Sequence, residues 1–146
     1  MEQELTQKIR SRALGLLARR EHARSELIRK LVNKGFENSL VTEIVNELAE
    51  EDLQNDTRYT ESYIRSRICR GYGPIRIRQE LRERDISEDL SSELLQNAID
   101  WYELAYDARV KKFGNVAPEE FKERAKQMSF LQYKGFTHEQ INASFR

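Results

Sequence analysis

The chain has 146 residues, 34% of them charged and 38% hydrophobic, and its 25 basic and 25 acidic side chains cancel to zero formal charge. That apolar share supplies one stripe per helix but not a deep core, so one compact unit or a short array of small units is expected. No apolar run approaches the roughly 20 residues of a membrane span, and the N-terminal MEQELTQKIRSR lacks the apolar segment of a secretory signal.

The expected setting is therefore the cytoplasm, with no membrane partner and a monomer as the default state. A single Cys69, with only His22 and His138 beside it, offers neither an internal disulfide nor a metal-ligand spacing, so no metal or cofactor is expected. Cys69 reads as a helix-surface or packing residue. Catalysis is disfavoured as well. The chain has no Gly-rich phosphate loop, no Cys/His or Ser/His spacing and no carboxylate pair in an apolar setting.

The neutral total conceals blocks. Positions 8–34 hold nine Lys/Arg and two Glu, and positions 37–56 hold seven acids and no base. Positions 58–84 then hold eight Arg and three Glu, 85–107 seven acids and no base, and 109–134 seven bases and three acids. Such alternation implies a repeat and strong local fields. Lys34-Gly35-Phe36 echoes Lys134-Gly135-Phe136 at one hundred positions, with Arg84-Asp85-Ile86 midway. Leu31, Leu81 and Leu131 fall in register under the same period of fifty. The expected architecture is all-α, with three tandem three-helix repeats of about fifty residues at 1–52, 53–100 and 101–146. Units this small bury little apolar surface alone, so an elongated, curved end-to-end array is expected.

In chain order, the first helix carries Leu5, Ile9, Ala13, Leu16 and Leu17 at helical spacing. The first helix of the second repeat follows a cap at Asn55 or Asp56, carries Tyr59, Tyr63, Ile64 and Ile68, and stops at Gly71. Pro74 suits the first turn of the next helix, and Gly73 allows the tight entry into it. Trp101 lies at the junction of the second and third repeats, where its expected role is packing rather than recognition. Phe113-Gly114 ends one helix of the third repeat and Pro118-Glu119-Glu120 opens another. That helix bears Phe121, Ala125, Met128 and Leu131 and stops at Gly135. Thr137 and Gln140 form a capping-box pattern for the last helix.

The arginines of the second repeat sort by helix face. Arg67 falls within the apolar stripe of its helix, so it is expected to be structural and to need a carboxylate or several carbonyls. Arg65 points away and is free for a partner. Arg76 can pair with Glu80, and Glu80 with Arg84, at i to i+4 spacing. Arg78 and Arg82 are like charges at that spacing, a small cost unless an anion lies nearby, with Asp85 as the candidate. Without one, they join Arg70 and Tyr72 in a site suited to phosphates or an acidic protein surface. Further basic candidates are Arg19, Arg20, Arg24, Lys111 and Lys112. For these, a helix C-terminus is an equally good explanation.

The run Gly71-Tyr72-Gly73-Pro74 continuing into Arg76-Ile77 and Glu80-Leu81 resembles the central motif of the RecX family, regulators of the bacterial recombinase RecA. Asp56, Arg58, Tyr59, Tyr63 and Arg67 match the preceding helix, and Lys111-Lys112-Phe113-Gly114, Phe130-Leu131 and Gly135-Phe136 match further on. Asp85 stands where glycine is common in that family, Thr60 where a small apolar residue is usual, and Lys134 where arginine is frequent. The resemblance implies tandem three-helix repeats and a negative modulator lodged in the groove of the RecA nucleoprotein filament, lowering ATP hydrolysis, strand exchange and coprotease activity. The partner-binding set is then Arg65, Arg70, Tyr72, Arg76, Arg78, Arg82, Lys111 and Lys112, with Arg67, Gly71, Gly73, Pro74 and Trp101 structural. An alternative is a helical-repeat protein that grips single- or double-stranded DNA phosphates and competes with RecA for the strand. A passive helical scaffold is the third.

Overall fold

The computed structural model describes all 146 residues as nine α-helices with no strand. The first three are α1 (Glu2–Arg19), α2 (Arg24–Asn33) and α3 (Asn38–Glu50). The middle three are α4 (Asp56–Cys69), α5 (Pro74–Glu83) and α6 (Glu88–Gln96), followed by α7 (Trp101–Phe113), α8 (Phe121–Lys134) and α9 (His138–Ala143). No helix is long and apolar enough to cross a membrane.

The fifty-residue period is written into the backbone. Gly35, Asp85 and Gly135 all take the left-handed conformation, with φ of 101°, 59° and 101°. A left-handed residue just past a helix lets the following amides reach back to orphan carbonyls. Beyond α8, Phe136 N–H bonds Leu131 O at 3.2 Å and Gly135 N–H bonds Gln132 O at 3.0 Å. Asp85 accepts the conformation that glycine adopts more readily, and its carboxylate receives the Ser25 hydroxyl at 2.7 Å.

Helix starts follow side-chain chemistry. Asn55 Oδ1 accepts the Arg58 amide at 2.9 Å, Asp100 accepts from Glu103, and Thr137 with Gln140 closes a capping box. One start differs from expectation: α8 opens at Phe121, preceded by extended Glu120 (φ −79°, ψ 134°), and Pro118 lies outside it. Glu119, Glu120 and Phe121 are all exposed, so no burial of these side chains extends the helix back to Pro118.

The chain divides into two compact units, Met1–Ser62 with Glu83–Ser87, and Tyr63–Arg82 with Glu88–Arg146. In the first, Ile9 and Ala13 of α1 meet Leu27 and Leu31 of α2 and Val41, Ile44, Val45 and Leu48 of α3 in a dry cluster. Each large member contributes about 1.5–3 kcal/mol by leaving water. His22 is buried at its side, its Nδ1 3.0 Å from Arg20 O and its Nε2 3.0 Å from Lys30 Nζ. Burial lowers its pKa, which suits a neutral ring that accepts from the ammonium. Thr60 is also fully buried, and its hydroxyl has no partner.

In the second unit, Ile64, Ile77, Leu81, Leu95, Leu131 and Phe136 are buried. Trp101 is 8% exposed and donates its indole N–H to Leu95 O at 2.7 Å. Arg109 is fully buried. Its Nε donates to Ser144 O at 2.9 Å, and its Nη1 lies 3.3 Å from Gln127 Oε1 and 3.5 Å from Gly114 O. It thus gathers the ends of α7 and α9 onto α8 through carbonyls.

Candidate functional site

The site is built where α4 ends, α5 begins and α8 ends. Gly71, at φ 83°, turns the chain out of α4, and Tyr72 N–H returns to Arg67 O at 3.1 Å. Gly73 then lies against Gly135. Its amide donates to Lys134 O at 2.8 Å, and the Ile75 amide donates to Gly135 O at 2.9 Å. A Cβ on Gly73 would stand 2.5 Å from the Gly135 carbonyl carbon, and one on Gly135 would overlap Arg76 Cβ. Gly73 is therefore required for the close passage of two backbones, since its own φ lies outside the left-handed region and its lack of a side chain is what the contact uses. The donors at the start of α5 thereby satisfy carbonyls at the end of α8. Pro74 opens α5 where its missing N–H costs nothing.

Glu80 organises the side chains above this crossing. Arg67 grips it with two parallel bonds, Nε to Oε1 and Nη2 to Oε2, both 2.8 Å. Tyr63 donates to Oε1 at 2.9 Å, and Arg76 Nε reaches Oε2 at 3.3 Å. Burial pushes the Glu80 carboxyl up. The hydrogen bonds from Tyr63 and Arg67 and the Arg67 charge outweigh it and hold the group below its ordinary range. The guanidinium carbons of Arg67 and Arg76 stand 4.2 and 4.0 Å from the Tyr72 ring centre, and Lys134 Nζ stands 4.4 Å from it. Arg76 also lies 5.2 Å from the Tyr133 ring. The faces of Tyr72 are thus covered by the protein's own cations.

Beside this network opens a cavity of about 480 Å³. Ile68, Leu104, Ala108, Phe130 and Phe136 form its apolar floor, and Arg70, Lys111, Lys112 and Lys134 its rim, with Asp107 as the one acid. None of the four rim cations has a carboxylate within ion-pair distance. Lys112 and Lys134 lie 5.7 and 5.6 Å from the Phe130 ring centre. Their positions in the last turns of α7 and α8 favour cations through the helix dipole, and their contacts with aromatic rings leave both ammonium groups without a carboxylate.

A second cationic patch lies on the outer face of α5. Arg78 and Arg82 are 51% and 64% exposed, and both bind Glu88, with Nη2 2.7 Å from Oε2 and 2.6 Å from Oε1. Glu88, not Asp85, is the anion between them. Asp85 is occupied by the turn before α6 and by Ser25. The two guanidinia hold the Glu88 carboxyl below its usual range, the Arg82 hydrogen bond most of all.

Models of the RecX family match the chain in three consecutive pieces. The first three-helix domain matches residues 10–48, the second 55–95 and the third 98–144. The chain belongs to the RecX family. The regulatory protein RecX of Halorhodospira halophila is 42% identical over 93% of this chain and 85% of its own. That of Pseudomonas putida GB-1 is 43% identical over 91% and 86%. A crystal structure of RecX from Lactobacillus salivarius has the same fold, with a TM-score of 0.82, 24% identity, and 97% of this chain and 94% of that one covered. A second solved regulatory protein RecX gives 0.81 at 27% identity, over 94% and 70%. The all-helical, three-domain architecture and the family expected from the residues are both observed.

In this RecX-family chain the structure brings Arg70, Tyr72, Lys111 and Lys112 to one cavity and places Arg78 and Arg82 apart from them. Arg65 is exposed on α4, without an ion pair. Arg76, half-buried, is engaged by Glu80, Tyr72 and Tyr133. Sequence reasoning missed Glu88 as the shared anion, Lys134 as a rim cation, and Arg109. The last had a signal. Trp101, Ala105 and Arg109 recur every four residues on one face of α7, the same placement that marks Arg67. Lys134 had only the family's preference for arginine at that position, and its repeat mate Lys34, with the same residue type, is simply exposed.

Proposed function

We propose that this protein is a negative modulator of RecA that binds in the groove of the RecA nucleoprotein filament and inhibits its ATPase, strand-exchange and coprotease activities. Family membership supports regulation of RecA in general. The observation that carries the finer reading is the cluster of Arg70, Lys111, Lys112 and Lys134, four cations with no carboxylate of their own around an apolar cavity. A surface of that kind seeks an acidic macromolecular face and gains little from standing free in water. Arg65 and the α5 pair Arg78 and Arg82 extend the basic surface. Arg67 and Arg76 hold Tyr72 in place. The protein acts by binding, without catalysis, as a cytoplasmic monomer.

A second reading is competition with RecA for single-stranded DNA, favoured by the unpaired charge of Arg65 on α4 and of the cavity rim. RecA ATP hydrolysis on single-stranded DNA separates the two when this protein is added well below one per recombinase subunit at two salt concentrations. Filament-directed regulation predicts inhibition at low ratios that persists at higher salt. Strand competition predicts inhibition only near saturation of the DNA, and a log-linear loss with salt. Unchanged hydrolysis would overturn both.

A further inference from the structure

The cavity between α4, α7 and α8 is specific about its guest. Its volume of about 480 Å³ falls in the range of ligand-binding pockets. Its floor is aliphatic and aromatic, its rim carries four unpaired cations, and Asp107 alone opposes them. Nucleic acid would fit the charge but not the floor. A base needs an open aromatic face, and both Tyr72 and Phe130 are engaged by the protein's own side chains. Tyr72 carries Arg67, Arg76 and Lys134, and Phe130 carries Lys112 and Lys134 with Phe113 edge-on at 5.3 Å.

We infer that this cavity is a peptide-docking site for an acidic segment of the protein partner, in which one or two bulky apolar side chains enter the floor while flanking carboxylates meet Arg70, Lys111, Lys112 and Lys134. The inference rests on the proposed binding of a RecA filament and names the chemistry of the contact. Charge complementarity sets the orientation and the encounter rate, and burial of the apolar anchor supplies the residence time. Asp107 disfavours a fully acidic guest near Leu104 and Ala108, so the anchor sits on the α7 side of the floor.

The test is fluorescence anisotropy of the full chain with a labelled peptide carrying a Leu-Phe pair flanked by aspartates. Its partners are the same peptide with serines for Leu-Phe, and labelled oligothymidylate of matching charge. The expected result is binding of the Leu-Phe peptide, about tenfold tighter than of the serine peptide. It should weaken by about tenfold or more in Lys111→Glu/Lys112→Glu, and equally in Ala108→Trp, which fills the floor and keeps every charge. Lys122→Glu/Lys126→Glu, the same charge change elsewhere on the chain, should leave it unaltered. Equal binding of the serine peptide, preference for oligothymidylate, or no binding of the Leu-Phe peptide would each overturn the inference. RecA ATPase inhibition by the same preparation tells this failure apart: inhibition without peptide binding sinks the docking site alone, and no inhibition sinks the regulatory reading.

Discussion

Arg78 and Arg82 on the outer face of α5 share the carboxylate of Glu88, whereas Arg70, Lys111, Lys112 and Lys134 around the cavity share no carboxylate at all. Both groups are basic, both are solvent-accessible, and both stand out in the sequence. The difference lies in what each meets after folding. Two guanidinia sharing one carboxylate keep one net positive charge of their two, and their exposed ion pairs are screened and entropically costly, so this patch presents a reduced external field. Unpaired cations over an apolar floor keep their field and have dry surface to offer a guest. The number of basic residues therefore says less about a binding surface than their internal partners do.

The sharpest way to break this contrast is to remove the backbone crossing whose flanking residues Tyr72, Lys134 and Phe136 line the cavity. Gly135→Ala combines an unfavourable left-handed φ with overlap against Arg76, and should cost about 3 kcal/mol or more in urea unfolding. Gly35 has the same φ but open space around it, so Gly35→Ala should cost only about 1 kcal/mol. Equal losses at the two positions would mean that the backbone approach at Gly73 and Gly135 is not tight.

Glu80→Gln comes next. It removes the charge that Arg67, Tyr63 and Arg76 converge on, and should cost about 2 kcal/mol at neutral pH. Because the folded-state pKa of Glu80 lies below its unfolded value, the stabilisation is full above the unfolded value near 4.3 and is lost as pH falls through the folded one. Stability measured against pH should show a shallower acid limb in the variant. An unchanged limb would remove Glu80 as its source.

Lys111→Glu/Lys112→Glu should leave stability within about 0.5 kcal/mol, since both side chains are exposed, while raising the concentration needed to inhibit RecA ATPase by about tenfold or more. Arg78→Glu/Arg82→Glu should raise it by only about threefold, because Glu88 already offsets that pair. The smallest effect belongs to Glu88→Gln. Freeing the two arginines should strengthen low-salt binding of single-stranded DNA by about twofold to threefold and leave the urea unfolding midpoint unchanged. If the α5 variants outweighed the cavity variants, the two regions would have to exchange roles.

Much of the fold was legible because its determinants are local. Apolar spacing in α1, the Thr137 to Gln140 box and the stops at Gly71 and Gly135 act over a few residues, and the fifty-residue echo of Gly35, Asp85 and Gly135 returns as one backbone conformation. The placement of Arg67 on an apolar stripe likewise pointed to a side chain that needs an acceptor, and it holds Glu80. Where local signals were read too literally, they misled. Pro118 suggested a helix start that its neighbours do not support, and the tight entry at Gly73 gave no sign that the partner backbone would be Gly135.

By itself, then, the amino-acid sequence determined nine helices in three related domains, several of their caps and breaks, and the family to which the chain belongs. Hydrogen bonds and apolar contacts within a turn or two decide those features. The tertiary structure alone decided that Gly73 meets Gly135 sixty-two positions away, that Glu88 and not Asp85 answers Arg78 and Arg82, and that Lys134 joins Lys111 and Lys112 around one cavity. Electrostatic partnership depends on distance in space, and a linear order of charges does not contain it until the helices have packed.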